Sequence, residues 1–394
     1  MAYTAELRLA LRAVHRASVL TKSVLRSLSN NVSAETKADD SPVTIADFAA
    51  QALLISALHA AYPHDAFLGE ESADALRQNE ALADRVWQLV QQAKEEADAR
   101  LDANGKDQEA TASTAAAAAA AHDLNEDPVL AFPASKEDMF DLIDRGGNGQ
   151  VTGLGRVWVM DPVDGTATFM RGQQYAVCLC LLVDGVQQVG VIACPNLAFP
   201  LQGTLGSIHI SEDNVDSDGY GVVLSAVKGQ GTFLRTMEAS GPGAHARHVD
   251  LTTLPPKQTS DLNFVEATIG KTSLSQTEHE AVATALSASW PGTVLWSQQM
   301  KYVALTLGAT DVMVRIPKTL DRFTCIWDHA GGHLLFQEAG GIISDFRGEQ
   351  IDFSAGRKIK GERNWGMIAC MPAVFEQVGT AVKHVLNQRD ADQS

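Results

Sequence analysis

The stretch Trp158-Val159-Met160-Asp161-Pro162-Val163-Asp164-Gly165-Thr166 constrains this chain more than any other. An apolar strand runs into two acids three residues apart, and Pro162 and Gly165 force a turn there. Strand ends in α/β proteins are where catalytic groups gather. The spacing predicts that Asp161 and Asp164 point into one small volume, where two carboxylates repel unless a cation lies between them. Magnesium meets that demand: it takes oxygen ligands, keeps several waters and shares its remaining positions with substrate phosphate. Gly165 and Thr166 add backbone N–H groups, and a helix beginning here favours an anion at its start. The competing reading is a turn whose acids cap a helix or accept turn hydrogen bonds. The pattern alone does not separate the two.

Other acidic positions do. Asp47 ends Ser41-Pro42-Val43-Thr44-Ile45-Ala46-Asp47, Glu70 and Glu71 follow Phe67-Leu68-Gly69, and Asp328 opens Asp328-His329-Ala330-Gly331-Gly332 after Trp327. Each acid adjoins an apolar or helix-starting segment. These four stretches, in this order, resemble the magnesium-dependent, lithium-sensitive phosphatase superfamily that includes inositol monophosphatase. Its signature pair looks like Met160-Asp161-Pro162-Val163-Asp164-Gly165-Thr166 followed by Trp327-Asp328-His329-Ala330-Gly331. Within the superfamily the chain most resembles the 3′(2′),5′-bisphosphate nucleotidases of fungal type. That likeness rests on Asp40-Ser41-Pro42-Val43-Thr44-Ile45-Ala46-Asp47, Arg171-Gly172-Gln173-Gln174-Tyr175-Ala176-Val177-Cys178-Leu179 and Cys194-Pro195-Asn196-Leu197. It runs from about residue 5 to about residue 380, interrupted by one insertion.

The resemblance implies a layered α/β fold, an αβαβα sandwich of the inositol monophosphatase/fructose-1,6-bisphosphatase type. It implies one magnesium ion on Glu70, Asp161 and the Val163 carbonyl, a second on Asp161, Asp164 and Asp328, and room for a third near Glu70. It implies attack by a water activated at the metals, whose proton passes to Thr166 while Asp47 holds the Thr166 hydroxyl. Gly165 and Thr166 N–H groups would meet the scissile phosphate. Ser297, Lys301 and Arg315 fall where the family contacts its nucleotide, and Lys271 falls where the family carries a His. Two stretches depart from the family pattern. Gly-Thr-Lys-Gly-Phe becomes Gly165-Thr166-Ala167-Thr168-Phe169, which removes a basic residue beside the phosphate. Asp-Ser-Gln-x-Lys-Tyr becomes Trp296-Ser297-Gln298-Gln299-Met300-Lys301-Tyr302, one residue longer between Ser and Lys. The implied activity is removal of the 3′-phosphate from adenosine 3′,5′-bisphosphate and its sulfated relative. Two alternatives are a phosphatase of inositol phosphates and a weakened paralogue that only binds nucleotide bisphosphate.

A length of 394 residues suggests two or three domains, and two are placed, at 1–205 and 206–387, with a frayed tail at 388–394. A formal net charge of −17 argues against binding a nucleic-acid polymer or an anionic membrane surface. It does not argue against a small phosphorylated substrate, because bound metal reverses the local field. No signal sequence opens the chain and no long apolar run spans a bilayer, so a cytoplasmic monomer is expected. The five cysteines, Cys178, Cys180, Cys194, Cys325 and Cys370, show no C-x-x-C spacing and are expected to be reduced. Cys178 and Cys180, two apart in a strand, should face one core.

Along the chain, Leu7, Leu11, Val14, Ala17, Val24 and Leu28 mark one face of a first helix. Residues 45–61 and 73–101 read as helices, and an alanine-rich insertion occupies 102–127. Asp184-Gly185 between apolar runs predicts a hairpin, and Lys228-Gly229-Gln230 another. The acidic loop 212–218 is read as solvated, residues 264–269 as a strand, and Asp328 as the start of a helix over 329–339.

Overall fold

The computed structural model describes residues 2–27, 35–36, 42–43, 45–107, 130–149, 155–266, 273–319 and 321–392. Helix α1 (Thr4–Ser27) buries Leu7, Leu11, Val14, Ala17 and Val24 of the predicted face and packs on α2 (Ile45–Ala61), while Leu28 lies outside the described residues. Strands β1 (Glu35–Thr36) and β2 (Pro42–Val43) pair between them. Then follow β3 (Ala66–Gly69), α3 (Asp74–Gln78), α4 (Glu80–Asp107), α5 (Lys136–Gly147), β4 (Arg156–Asp164) and the single turn α6 (Thr166–Phe169). Strands β5 (Ala176–Val183), β6 (Val186–Cys194), β7 (Val222–Val227), β8 (Thr232–Thr236) and β9 (Arg247–Val249) complete a seven-stranded sheet. Its order is β3-β4-β5-β6-β7-β8-β9, with β3 parallel to β4 and every later pair antiparallel. Both predicted hairpins form, and Asp184 and Gly185 take φ of +50° and +76°, the left-handed backbone that a two-residue hairpin turn needs.

Why β4 and β5 read as unbroken apolar runs is now clear: both faces of the sheet are covered. Trp158, Met160, Leu179 and Leu181 enter the core shared with α1 and α2. Val157, Val159, Cys178, Cys180 and Leu182 enter a second core on the opposite face. All five cysteines are free thiols, and Cys178 and Cys180 share one core as their spacing predicts.

The remaining elements are β10 (Val265–Glu266), α7 (Gln276–Ala285), β11 (Thr293–Val294), α8 (Gln298–Thr306), β12 (Val312–Arg315), β13 (Phe323–Cys325), α9 (Ala330–Glu338), β14 (Ile342–Ser344), β15 (Lys358–Lys360), β16 (Met367–Cys370) and α10 (Pro372–Asp392). Helices α8 and α9 supply the second core. Beneath them lies a three-stranded sheet, β12-β16-β14. Its alternate residues divide the same way: Met313, Met367 and Ala369 face α8 and α9, while Val312, Val314, Ile368 and Cys370 face α7 and α10. The layers therefore run helix, sheet, helix, sheet, helix, the αβαβα sandwich expected. The larger sheet continues to Val249, across the expected division at 205/206. No described helix is long and apolar enough to cross a membrane.

One local expectation is corrected. Asp328 does not open a helix; it closes a 3-10 turn over Ile326–Asp328, and α9 begins at Ala330. The turn detaches Asp328 from the helix N-terminus and leaves its carboxylate available to the carboxylates of β4. Residues 108–127 of the insertion and 267–269 of the expected strand lie outside the described residues, as does Lys271.

Candidate active site

At the end of β4 the pairing with β5 slips: Asp161 pairs with Cys178, Asp164 with Ala176, and the register shifts between them. Pro162, which has no N–H to give the ladder, sits in that irregularity. A bulge re-aims side chains, and here Asp161 and Asp164 come together. Gly165 then turns the chain at φ +99°, and a Cβ there would lie 3.0 Å from the Ser297 Cβ. From the turn before α9, on the same face of the sheet as Val157 and Val159, Asp328 joins them, so that oxygens of Asp161, Asp164 and Asp328 lie within 4.8 Å of one another. Asp161 Oδ1 is buried and has no hydrogen-bond partner among the described residues. Three crowded carboxylates with an orphaned oxygen fit a hard divalent cation and little else.

The electrostatics carry the same signature. Burial, followed by Glu70, Asp164, Asp328 and Asp47, pushes the Asp161 carboxyl well above the usual range. Burial and the charges of Asp164 and Glu70 push Asp328 up to about 7, against the pull of Arg315 and a Thr324 hydrogen bond. Asp164 is raised by burial but partly relieved by donors from α8. Ser297 Oγ donates to Asp164 Oδ2 at 2.5 Å, and the Gln299 and Gln298 N–H groups donate to the same carboxylate. Ser297 also caps α8 by accepting from Met300 N at 3.0 Å.

Glu70 follows β3, and because Gly69 pairs in parallel with Met160, it leaves the sheet beside Asp161. Asp47 is wholly buried in the first turn of α2, within electrostatic reach of Asp161. The Thr166 hydroxyl donates to Val163 O at 3.3 Å. Lys301, buried in α8, is depressed to about 8 by burial and by the Arg315 charge. Arg315, at the end of β12, donates to Gln298 Oε1 and lines a cleft with Arg322, Phe323, Thr324 and Asn364.

Four contributors escape a reading of the sequence. Glu212 lies in the loop expected to be solvated; instead its carboxylate accepts from Trp296 N at 2.5 Å, and burial raises its pKa. Tyr302 OH and Thr324 Oγ1 engage the two ring nitrogens of buried His329, at 2.8 and 2.9 Å, and Thr324 Oγ1 reaches on to Asp328 Oδ2 at 3.4 Å. Arg357 reaches across from β15's approach to the end of β3. No local pattern marks any of them, since each acts on a partner distant in sequence or through one hydroxyl.

With this geometry in view, the likeness to known proteins is specific. The model of the inositol monophosphatase family matches residues 76–378, and the chain belongs to that family. It is 37% identical to the 3′(2′),5′-bisphosphate nucleotidase of Emericella nidulans, over 98% of this chain and 99% of that one. To the 3′(2′),5′-bisphosphate nucleotidase of Schizosaccharomyces pombe it is 35% identical, over 98% of each chain. The solved structure of the extragenic suppressor protein suhB from Bartonella henselae matches with a TM-score of 0.56 at 16% identity, covering 96% of this chain and 98% of that one. That last likeness bears on the fold alone.

Proposed function

We propose that the protein is a 3′(2′),5′-bisphosphate nucleotidase that removes the 3′-phosphate of adenosine 3′,5′-bisphosphate, with magnesium as its metal. The observation that carries this reading is the convergence of Asp161, Asp164 and Asp328 beside a cleft that holds Arg315, with Lys301 buried close by. The near full-length likeness to nucleotidases supports the substrate class. Asp161, Asp164 and Asp328 would hold one ion, and Glu70, Asp161 and the Val163 carbonyl another, with a third near Glu70. Bound divalent ions neutralise phosphoryl oxygens and polarise a water for in-line attack.

The chain's own groups do the rest. Gly165 and Thr166 N–H groups bind the scissile phosphate. Thr166 Oγ1, which here donates to Val163 O, takes the proton of the attacking water and passes its own to the Asp47 carboxylate. Ser297 keeps Asp164 oriented, and Arg315 and Lys301 bind the end of the nucleotide away from the scissile bond, with Lys271 a further substrate contact. In this reading the protein acts on a small substrate as a cytoplasmic monomer, with residues 1–205 bearing most metal ligands and 206–387 most substrate contacts. The sulfated nucleotide is a second substrate.

Phosphate release is measured with magnesium on adenosine 3′,5′-bisphosphate, inositol 1-phosphate and inositol 1,4-bisphosphate, with Asp161→Asn as control. Turnover of the nucleotide, lost in the variant and on adding lithium, is expected. Turnover of inositol phosphates alone discards the nucleotide assignment. Nucleotide binding without turnover leaves a binding protein instead of an enzyme.

A further inference from the structure

The two arms that bear Glu70 and Asp328 come from opposite ends of the chain, and one side chain touches both. Arg357 Nη2 donates to Gly69 O at 2.8 Å, the carbonyl directly before Glu70. Its Nη1 donates to Gly146 O at 2.8 Å, near the C-terminus of α5, where a cation is favoured by the helix dipole. The guanidinium also stacks on Trp327, 4.6 Å from the ring centre, one residue before Asp328. Its own carbonyl accepts from Ile326 N at 2.9 Å, which ties it to the turn that ends in Asp328.

The local packing explains how one fork spans two carbonyls. A Cβ at Gly146 would lie 3.2 Å from the Gly69 Cα, so the ends of α5 and β3 approach closely. Glu70 is gripped on its other side as well. Gln51 Nε2 donates to Glu71 O at 2.7 Å, and Glu71 N donates to Gln51 Oε1 at 3.0 Å. With the residues before and after it both held, Glu70 has its backbone position set by α2 on one side and by Arg357 on the other.

We infer that Arg357 is a positioning residue for metal binding: it fixes the Glu70 arm relative to the Asp328 arm, and so governs the ion that Glu70 helps to hold. This rests on the metal assignment proposed above. A strut that served only stability would touch the backbone anywhere along β3; this one grips the peptide adjoining the ligand and stacks on the residue adjoining another. The planar fork is essential to it, because a lysine ammonium offers no pair of parallel donors and stacks less well on an indole.

The test is a calorimetric titration of the metal-free full chain with magnesium, for wild type, Arg357→Lys, Arg357→Ala, Glu70→Gln and Asp328→Asn, with the melting temperature of each metal-free protein alongside. Arg357→Lys is expected to weaken, by about 10- to 100-fold, the binding step that Glu70→Gln weakens, as loss of a group supporting a metal ligand does. The step sensitive to Asp328→Asn should move less, and the metal-free melting temperature should hold in the lysine variant even if the alanine variant unfolds. Wild-type titration curves for Arg357→Lys overturn the inference. So does an equal weakening of every step together with a lower melting temperature, which marks a purely structural role. A wild type with a single binding step overturns the two-ion assignment instead, and Arg357 is then judged on whether its lysine variant weakens that step as Glu70→Gln does.

Discussion

The metal cluster and the neighbouring cleft are opposite in charge and in construction. Glu70, Asp161 and Asp164 stand at adjacent strand ends of one sheet, and the Gly69–Met160 pairing together with the β4 bulge sets their spacing. Arg315, Arg322, Phe323 and Asn364 come from short strands and turns of the C-terminal part. Carboxylates crowd on one side and need a cation; on the other side burial depresses both Lys301 and Arg315, the Arg315 charge adds to the effect on Lys301, and the two cations need an anion. A metal-loaded substrate phosphate ester answers both needs. In the reading proposed above, the contrast separates what is general from what is particular: the sheet-end cluster supplies the chemistry, while the cleft of short strands and turns tells substrates apart.

The largest effect should come from breaking the cluster alone. Asp161→Asn is expected to lower phosphate release by about 10³-fold or more, as loss of a principal electrostatic group does. Under chelator the same variant should melt at a higher temperature than wild type, because a buried, repelled carboxylate has become a neutral amide. Lower activity with lower metal-free stability would mean that Asp161 is held by hydrogen bonds after all.

Removing the metal exposes the same strain through pH. In the metal-free fold the Asp328 carboxyl sits at about 7, whereas unfolded it titrates near ~4. Between those values the folded state binds more protons than the unfolded state, so stability falls as pH rises through the window. The chelated protein should therefore melt higher at about pH 5 than at about pH 8. Saturating magnesium should flatten or reverse that slope, since protons then compete with the ion. A chelated protein whose melting temperature rises with pH would show that the carboxylates are already compensated by other donors.

The same contrast governs what the sequence made legible. Asp161 and Asp164 belong to one strand and its turn, so their meeting follows from spacing. Helix α1 follows from its periodic apolar face, α2 from an unbroken apolar, helix-forming run, and the β5–β6 hairpin from Asp184-Gly185. The place of Asp328 in a 3-10 turn was missed because its neighbours His329 and Ala330 continue a helical pattern without a break. Glu212 was missed because an acidic loop carries no mark of what it folds against. Arg357 lies 288 residues from Gly69, and nothing local announces a guanidinium that serves a peptide so far away. Contacts within one strand and its turn are written in order; contacts that close the site are written only in the fold.

Breaking the cleft alone should have a smaller and different effect. Arg315→Ala is expected to raise KM for adenosine 3′,5′-bisphosphate by about 10- to 100-fold, the scale of one charged hydrogen-bonding contact. Its kcat should change less, because the cluster that carries the chemistry is untouched. Arg315→Lys should not restore affinity, since the fork that now reaches Gln298 is lost. Steady-state kinetics on the nucleotide and on a small phosphate monoester decide the matter. An equal loss on both would mean that Arg315 serves the metal cluster and that the two regions are less separate than they look.

The smallest effect should come from the residue that belongs to both regions. Ser297 Oγ donates to Asp164 and accepts from Met300 N, so one hydroxyl orients a cluster carboxylate and starts the helix that carries Lys301. Ser297→Ala leaves the Gln298 and Gln299 N–H groups on Asp164, so the carboxylate keeps most of its support. The cost to stability should be about 1 kcal/mol, typical of a lost N-cap. The magnesium needed for half-maximal activity and the KM for nucleotide should both rise, each by about 2- to 10-fold, the equivalent of one modest hydrogen bond. Measured together, the two shifts show whether the helix transmits a change on one side of the site to the other. A rise in the magnesium requirement with an unchanged KM would confine Ser297 to the cluster and leave the cleft independently built.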